Sequence, residues 1–110
     1  MRDEPVELAI IGPGRMGQLY ARLAHELACT RLVAVGGRSR DSTHSLAASL
    51  DVPAYPEARY HEMLQDHPHI EAVIVSTSEW AHLDPVLTSI DSRKHVLVEK
   101  PLAETVEKAI

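Results

Sequence analysis

Short apolar runs alternate along the chain with segments in which apolar residues recur every three or four positions, the pattern of repeated strand–helix units. The first run, residues 6–11, carries Val6, Leu8, Ala9, Ile10 and Ile11 and stops at Gly12. Met16, Leu19, Tyr20, Leu23 and Leu27 follow at helical spacing, which predicts a helix with that stripe against a sheet. Residues 32–35 (Leu-Val-Ala-Val) form a second strand, ended by Gly36 and Gly37. Asp41, Ser42 and Thr43 are N-cap candidates for a helix that turns Leu46, Ala47 and Leu50 inward. Prolines bound residues 53–56, so only a short, edge-like strand fits there. Tyr60, Met63 and Leu64 mark a short helix, and residues 72–75 (Ala-Val-Ile-Val) a strand apolar on both faces. Residues 81–90 read as a helix with Leu83, Val86, Leu87 and Ile90 on one side. Residues 96–98 form a fifth strand, closed by Glu99-Lys100-Pro101, and a last helix starts near Thr105. Parallel strands joined by right-handed helical crossovers close into a doubly wound α/β sheet of three layers, αβα.

Composition narrows this further. A chain of 110 residues fits one domain, residues 1–110. Phe is absent, and Trp80, Tyr20, Tyr55 and Tyr60 are the aromatic residues, so the core rests on Val, Ile, Leu and Ala. A net charge of −5 speaks against nucleic acid as a partner, since phosphate binding needs clustered Lys and Arg. Arg38 with Arg40 is the one local basic cluster. A single cysteine, Cys29, leaves no disulfide framework and no cysteine metal site. No apolar stretch approaches the roughly 18 residues of a membrane span, and no signal-peptide core precedes the first strand, so no membrane is expected and the cytoplasm is the default location. His61, His67 and His69 lack the paired spacing of a structural zinc site and are read as surface residues, with no metal expected.

Gly12-Pro13-Gly14-Arg15-Met16-Gly17 has the form G-x-G-x-x-G. Alone that is a weak signal; directly after a strand and before an amphipathic helix it is the context of a dinucleotide-binding loop. Gly12 permits the tight turn, Gly14 lets backbone approach a pyrophosphate, and Gly17 lets the helix pack close to the first strand. The helix N-terminus offers free N–H groups and partial positive charge to the phosphates. Arg15 in that first turn opposes the bare dipole, which makes more sense with an anion bound.

An acid about 20 residues past such a loop bonds the ribose 2′-hydroxyl of NAD. Here that place falls on Gly37, 20 residues beyond Gly17, followed by Arg38, Ser39 and Arg40. A 2′-phosphate would meet the Arg38 guanidinium and accept from Ser39, so NADP is favoured over NAD. The alternative stays open that Arg38 stacks on adenine or lies in solvent while Asp41 reaches the ribose.

The glycine loop, Ser76-Thr77-Ser78-Glu79-Trp80-Ala81-His82 and Glu99-Lys100-Pro101 together resemble the glucose–fructose oxidoreductase/inositol dehydrogenase/rhizopine-catabolism (Gfo/Idh/MocA) family, from Leu8 to the last helix. The resemblance implies a Rossmann-type domain in which Gly12, Gly14, Arg15, Met16 and Gly17 line the pyrophosphate and Gly37 and Arg38 meet the adenosine ribose. It places Ser76 and Thr77 along the cofactor, Trp80 and His82 near its nicotinamide end, and Glu99 and Lys100 beside the nicotinamide. Lys100 matches the family's catalytic lysine, and a partly desolvated ammonium at a strand end can relay a substrate proton; its alternative role is pairing with a carboxylate. His82 is equally well a residue packing the cleft wall. Four positions depart from the family pattern: Ser78 and Glu79 stand for Pro and Asn, Arg93 for the Gly before Lys-His-Val, and Gly37 for the acid.

The family implies an oxidoreductase moving a hydride between a nicotinamide cofactor and a sugar, polyol or related small molecule. Its substrate pocket and homo-oligomer interface lie in a C-terminal α/β domain, expected beyond residue 110, so this chain alone is not expected to be catalytically complete. A non-catalytic dinucleotide-sensing domain is the alternative, and it would not need Lys100.

Overall fold

The computed structural model describes residues 4–77 and 83–98. In chain order the elements are β1 (Val6–Ile11), α1 (Arg15–Glu26), β2 (Thr30–Gly36), α2 (Arg40–Ser49), β3 (Ala54–Tyr55), α3 (Tyr60–Asp66), β4 (Ala72–Val75), α4 (Leu83–Asp91) and β5 (His95–Val98). The strands make one sheet in the order β3-β2-β1-β4-β5, every pair parallel. The chain thus builds leftwards from β1 through β2 to β3, then returns to the other side of β1 for β4 and β5. That reversal puts a switch point between β1 and β4, where open α/β sheets bind ligands outside the carboxyl ends of their strands.

Both faces of the sheet are covered, which is why its central strands run apolar on both faces over residues 8–11, 32–35 and 72–75. Leu8 and Ile10 of β1 join Ala21 and Ala24 of α1 and Leu46 and Ala47 of α2 in one core. Ala9 and Ile11, on the opposite face of the same strand, join Tyr60, Met63 and Leu64 of α3, with Val86 of α4 packed alongside. The result is the three-layer αβα sandwich expected of the sequence. β3 is the two-residue edge strand that its flanking prolines impose.

Three details differ from the sequence reading. The stripe expected to pack α1 on the sheet is largely outside it: Met16, Leu19, Leu23 and Leu27 are 36%, 48%, 44% and 50% exposed. Gly17, Ala21 and Ala24 face the strands instead, with Tyr20 half-buried beside them. Close approach of helix to strand admits only small side chains on the contact line, so the bulky residues are turned onto the flank.

Second, α2 is capped by Ser39 and not by Asp41, Ser42 or Thr43; the Ser42 N–H donates to Ser39 Oγ at 3.3 Å. Third, α4 buries Pro85 and Ser89 with Val86 half-buried, while Leu87 and Ile90, expected inside, are each 55% exposed. Its last turn ends at Arg93, φ 60°, with the Arg93 N–H donating to Ile90 O at 2.9 Å and the Lys94 N–H to Ser89 O at 3.0 Å. Arg93, which stands where the family has Gly, thus takes the left-handed place that ends this helix.

Below β3, Tyr55 fixes α3 to the sheet. Its hydroxyl donates to Asp66 Oδ2 at 2.8 Å and lies 3.1 Å from His67 Nε2. Burial, with the adjoining Asp66 carboxylate, pushes the phenol up to about 12. Among the described residues no helix is long and apolar enough to cross a membrane.

Candidate functional site

At the end of β1 the backbone is forced into a turn. Gly12 has φ 111°, a conformation other residues adopt only with strain. Its N–H donates to Gly36 O at 2.8 Å, while the Ser76 N–H after β4 donates to Ile11 O at 2.8 Å. The turn is so close to β4 that a Cβ at Gly12 would lie 2.5 Å from Ser76 O and 2.8 Å from Thr77 N. Gly17, one turn into α1, sits against the carbonyl of Gly12; a Cβ there would run into that oxygen. These two glycines draw the start of α1 down onto the switch point.

Gly14 is the N-cap of α1, with no side-chain cap and no acidic residue in the first turn. The opening N–H groups of a helix have no intrahelical partner, so they face outward with the positive end of the helix dipole. A Cβ at Gly14 would meet no atom of the described residues within 4 Å, leaving room among them above the helix start. Gln18 steadies the loop, its Nε2 donating to Pro13 O at 3.0 Å. Arg15 and Met16 are exposed on the first turn.

The end of β2 forms the second wall. The Gly37 N–H donates to Tyr55 O at 3.1 Å, and its carbonyl accepts from the Ala58 N–H at 3.0 Å. The Arg38 carbonyl accepts from the Glu57 N–H at 3.2 Å. Glu57 and Ala58, both in the left-handed region, thus tie this tip to the turn after β3. Arg38 is exposed and makes no ion pair among the described residues, whereas Arg40 lies 3.7 Å from Glu57. Ser39 Oγ accepts the helix-capping bond and donates to Ser42 Oγ at 3.3 Å.

Between these walls lies a cleft of about 190 Å³, lined by Gly12, Pro13, Gly14, Arg38, Ser39, Ser76 and Thr77. Six of the residues singled out from the sequence meet there, together with Pro13, whose place as the variable residue between two glycines was its only sequence signal. Gly17 and Gly37 are buried beneath the cleft. Trp80, His82, Glu99 and Lys100, like Ser78 and Glu79, lie outside the described residues.

A larger cleft of about 520 Å³, lined by residues including His25, Arg31, Asp51 and His67, opens near the start of β2. It lies at the wrong end of the strands for the ligand crevice of an open parallel sheet, and size does not outweigh that placement. Among the described residues no group of three or more His, Cys, Asp or Glu is placed to hold a metal.

The geometry fits a dinucleotide: a helix start with no side-chain cap lies on one wall of the cleft, and the exposed Arg38 at a strand tip lines the other. Comparison with known proteins decides the family. A profile described as "Oxidoreductase family, NAD-binding Rossmann fold" (GFO_IDH_MocA) matches residues 6–110. The chain belongs to the Gfo/Idh/MocA family.

Among its Gfo/Idh/MocA relatives, scyllo-inositol 2-dehydrogenase (NAD(+)) of Bacillus subtilis is 32% identical over 108 residues, covering 97% of this chain and 31% of that protein. The structure of myo-inositol dehydrogenase from Lactobacillus casei, in complex with NAD(H) and myo-inositol, superposes with a TM-score of 0.81 at 33% identity, covering 96% of this chain and 31% of the other. Biliverdin reductase from Synechocystis, in complex with biliverdin and NADP+, gives 0.78 at 28% identity, covering 92% and 31%. The chain therefore spans about a third of the length of these relatives. As a Gfo/Idh/MocA member it carries that family's nicotinamide-nucleotide-binding fold.

Proposed function

We propose that the cleft between α1 and the tip of β2 binds NADP in preference to NAD, as the cofactor-binding part of an oxidoreductase. The pyrophosphate would lie over Gly14 and the free N–H groups of residues 14–17, its charge met by the helix dipole. The adenosine ribose would reach the tip of β2, and its 2′-phosphate the Arg38 guanidinium, with Ser39 as a further hydroxyl once its weak bond to Ser42 exchanges. The observation that carries the preference is the tip itself: a buried glycine where a carboxylate would repel phosphate, followed by an arginine with no competing ion pair among the described residues.

When bound, the cofactor supplies or accepts a hydride at its nicotinamide ring. Ser76 and Thr77, at the end of β4, border the path towards that ring. Trp80, His82 and Glu99 would close its surroundings, and the Lys100 ammonium would hold or relay the proton that leaves a substrate hydroxyl. Inositol dehydrogenases among the relatives support a polyol, a sugar or a related small molecule as the substrate class. The pocket for it would lie in the two thirds of the relatives' length that this chain does not span, along with any homo-oligomer interface.

Calorimetric titration with NADPH and NADH at matched salt tests the cofactor assignment. NADPH is expected to bind at least about tenfold more tightly, the value of one charge-assisted contact, and Arg38→Ala to erase that difference while leaving NADH affinity nearly unchanged. Tighter NADH binding, or an Arg38→Ala variant that weakens both alike, would contradict it.

A further inference from the structure

Gly37 has no positive φ to explain it: its backbone is open to any residue, and only space forbids one. A Cβ built on Gly37 would run into Thr43 Oγ1 and lie 2.7 Å from Cδ and 3.2 Å from Cγ of Pro13. The two obstructing residues belong to different elements, Pro13 to the glycine loop and Thr43 to the first turn of α2.

Thr43 is fully buried, and its hydroxyl has no hydrogen-bond partner among the described residues. A buried hydroxyl without a partner burdens the fold. What Thr43 contributes against Gly37 is volume, its Oγ1 standing where a Cβ would go.

We infer that Thr43 and Pro13 are positioning residues for cofactor choice: together they hold Gly37 side-chain-free, and so keep a carboxylate out of the place where it would bond a ribose 2′-hydroxyl and repel a 2′-phosphate. Preference for the phosphorylated cofactor then rests on two layers. Arg38 supplies the attraction, and Thr43 with Pro13 prevent the competing chemistry from entering by a single substitution. An acid at position 37 has to displace the helix start or the glycine loop. Relief of both obstructions first makes the acid compatible with the fold. Specificity built by exclusion as well as attraction has this form generally. The inference rests on the ribose lying at the tip of β2, as proposed above.

The test is a set of variants measured by thermal melting and by the ratio of NADPH to NADH dissociation constants. Gly37→Asp alone is expected to lower the melting temperature and weaken both cofactors together. Gly37→Asp combined with Pro13→Ala and Thr43→Ala is expected to recover most of the melting temperature lost to the acid, and to shift the ratio at least tenfold towards NADH relative to Pro13→Ala/Thr43→Ala.

Gly37→Asp alone melting like the unsubstituted chain and shifting the ratio as far as the triple variant would overturn the inference and leave the ribose placement standing. A triple variant that folds with its ratio unmoved would instead overturn the ribose placement, and the inference with it. Gly37→Ala covers a triple variant that does not fold, because it adds only the obstructed atom. It is expected to lower the melting temperature in the natural background and to be near neutral beside Pro13→Ala/Thr43→Ala. Equal losses in both backgrounds would overturn the inference.

Discussion

Two glycine turns face each other across the cleft, and they are kept as glycine by different kinds of neighbour. At the end of β1 the obstructing atoms are main chain: Ser76 and Thr77 beside Gly12, and the Gly12 carbonyl beside Gly17. Those atoms are fixed by the parallel ladder of β1 with β4 and by the start of α1, so nothing short of moving a strand would make room. At the end of β2 the obstructing atoms are the side chains of Thr43 and Pro13. Substitution can remove them without touching the ladder. The first turn is a property of the fold, shared with any protein that lays a helix start on that switch point. The second is a property of this sequence and, on the proposed ribose placement, the place where cofactor choice can be tuned.

The comparison breaks most visibly at Gly17. Gly17→Ala forces a methyl into the carbonyl of Gly12 and is expected to destabilise by about 3 kcal/mol or more. For a chain of this size that is a fall in melting temperature of roughly 10 °C or more, with cofactor binding lost. Gly37→Ala presses only on side chains and is expected to cost less, about 1–2 kcal/mol. Equal losses would mean that the two turns are not held differently after all.

Tyr55 sharpens the contrast, because its carbonyl receives the Gly37 N–H while its phenol is bonded to Asp66. The phenol titrates near 12 in the fold against an ordinary value of 10, so its neutral form is favoured by folding. That stability is complete below pH 10 and is lost as pH rises from 10 towards 12. Hydrogen exchange at Gly37, corrected for intrinsic rates, should accelerate across that window before exchange at Gly12 does. Tyr55→Phe is expected to cost about 1 kcal/mol at neutral pH and to abolish the difference.

The smallest effect is the converse case, a turn that glycine would suit and does not occupy. Arg93 holds φ 60° at the end of α4, and Arg93→Gly is expected to gain up to about 1 kcal/mol, read as a higher melting temperature. No gain would show that Arg93 makes contacts that offset its backbone cost.

The same division between main chain and side chain governs what the sequence could disclose. Strands followed from apolar runs cut off by Gly12, Gly36 and the prolines around β3, because backbone geometry leaves its mark in residues that permit or forbid it. The glycine loop was legible for that reason. Side-chain contacts across elements were not. Two stripes run along α1 at the same period, and size favoured Met16, Leu19, Leu23 and Leu27 over Gly17, Ala21 and Ala24; close packing reverses that order. Ser39 caps α2 although three other capping residues, Asp41, Ser42 and Thr43, follow it. Nothing in the spacing of Pro13, Gly37 and Thr43 announces that their atoms compete for one volume.

The most direct test of the central claim is the map of backbone amide shifts when NADPH is added to the ¹⁵N-labelled chain. The largest changes are expected at Gly14–Gly17 and at Arg38 and Ser39, the two walls of one cleft. Changes centred on Thr30, Arg31 and Asp51, around the larger cleft near the start of β2, would contradict it.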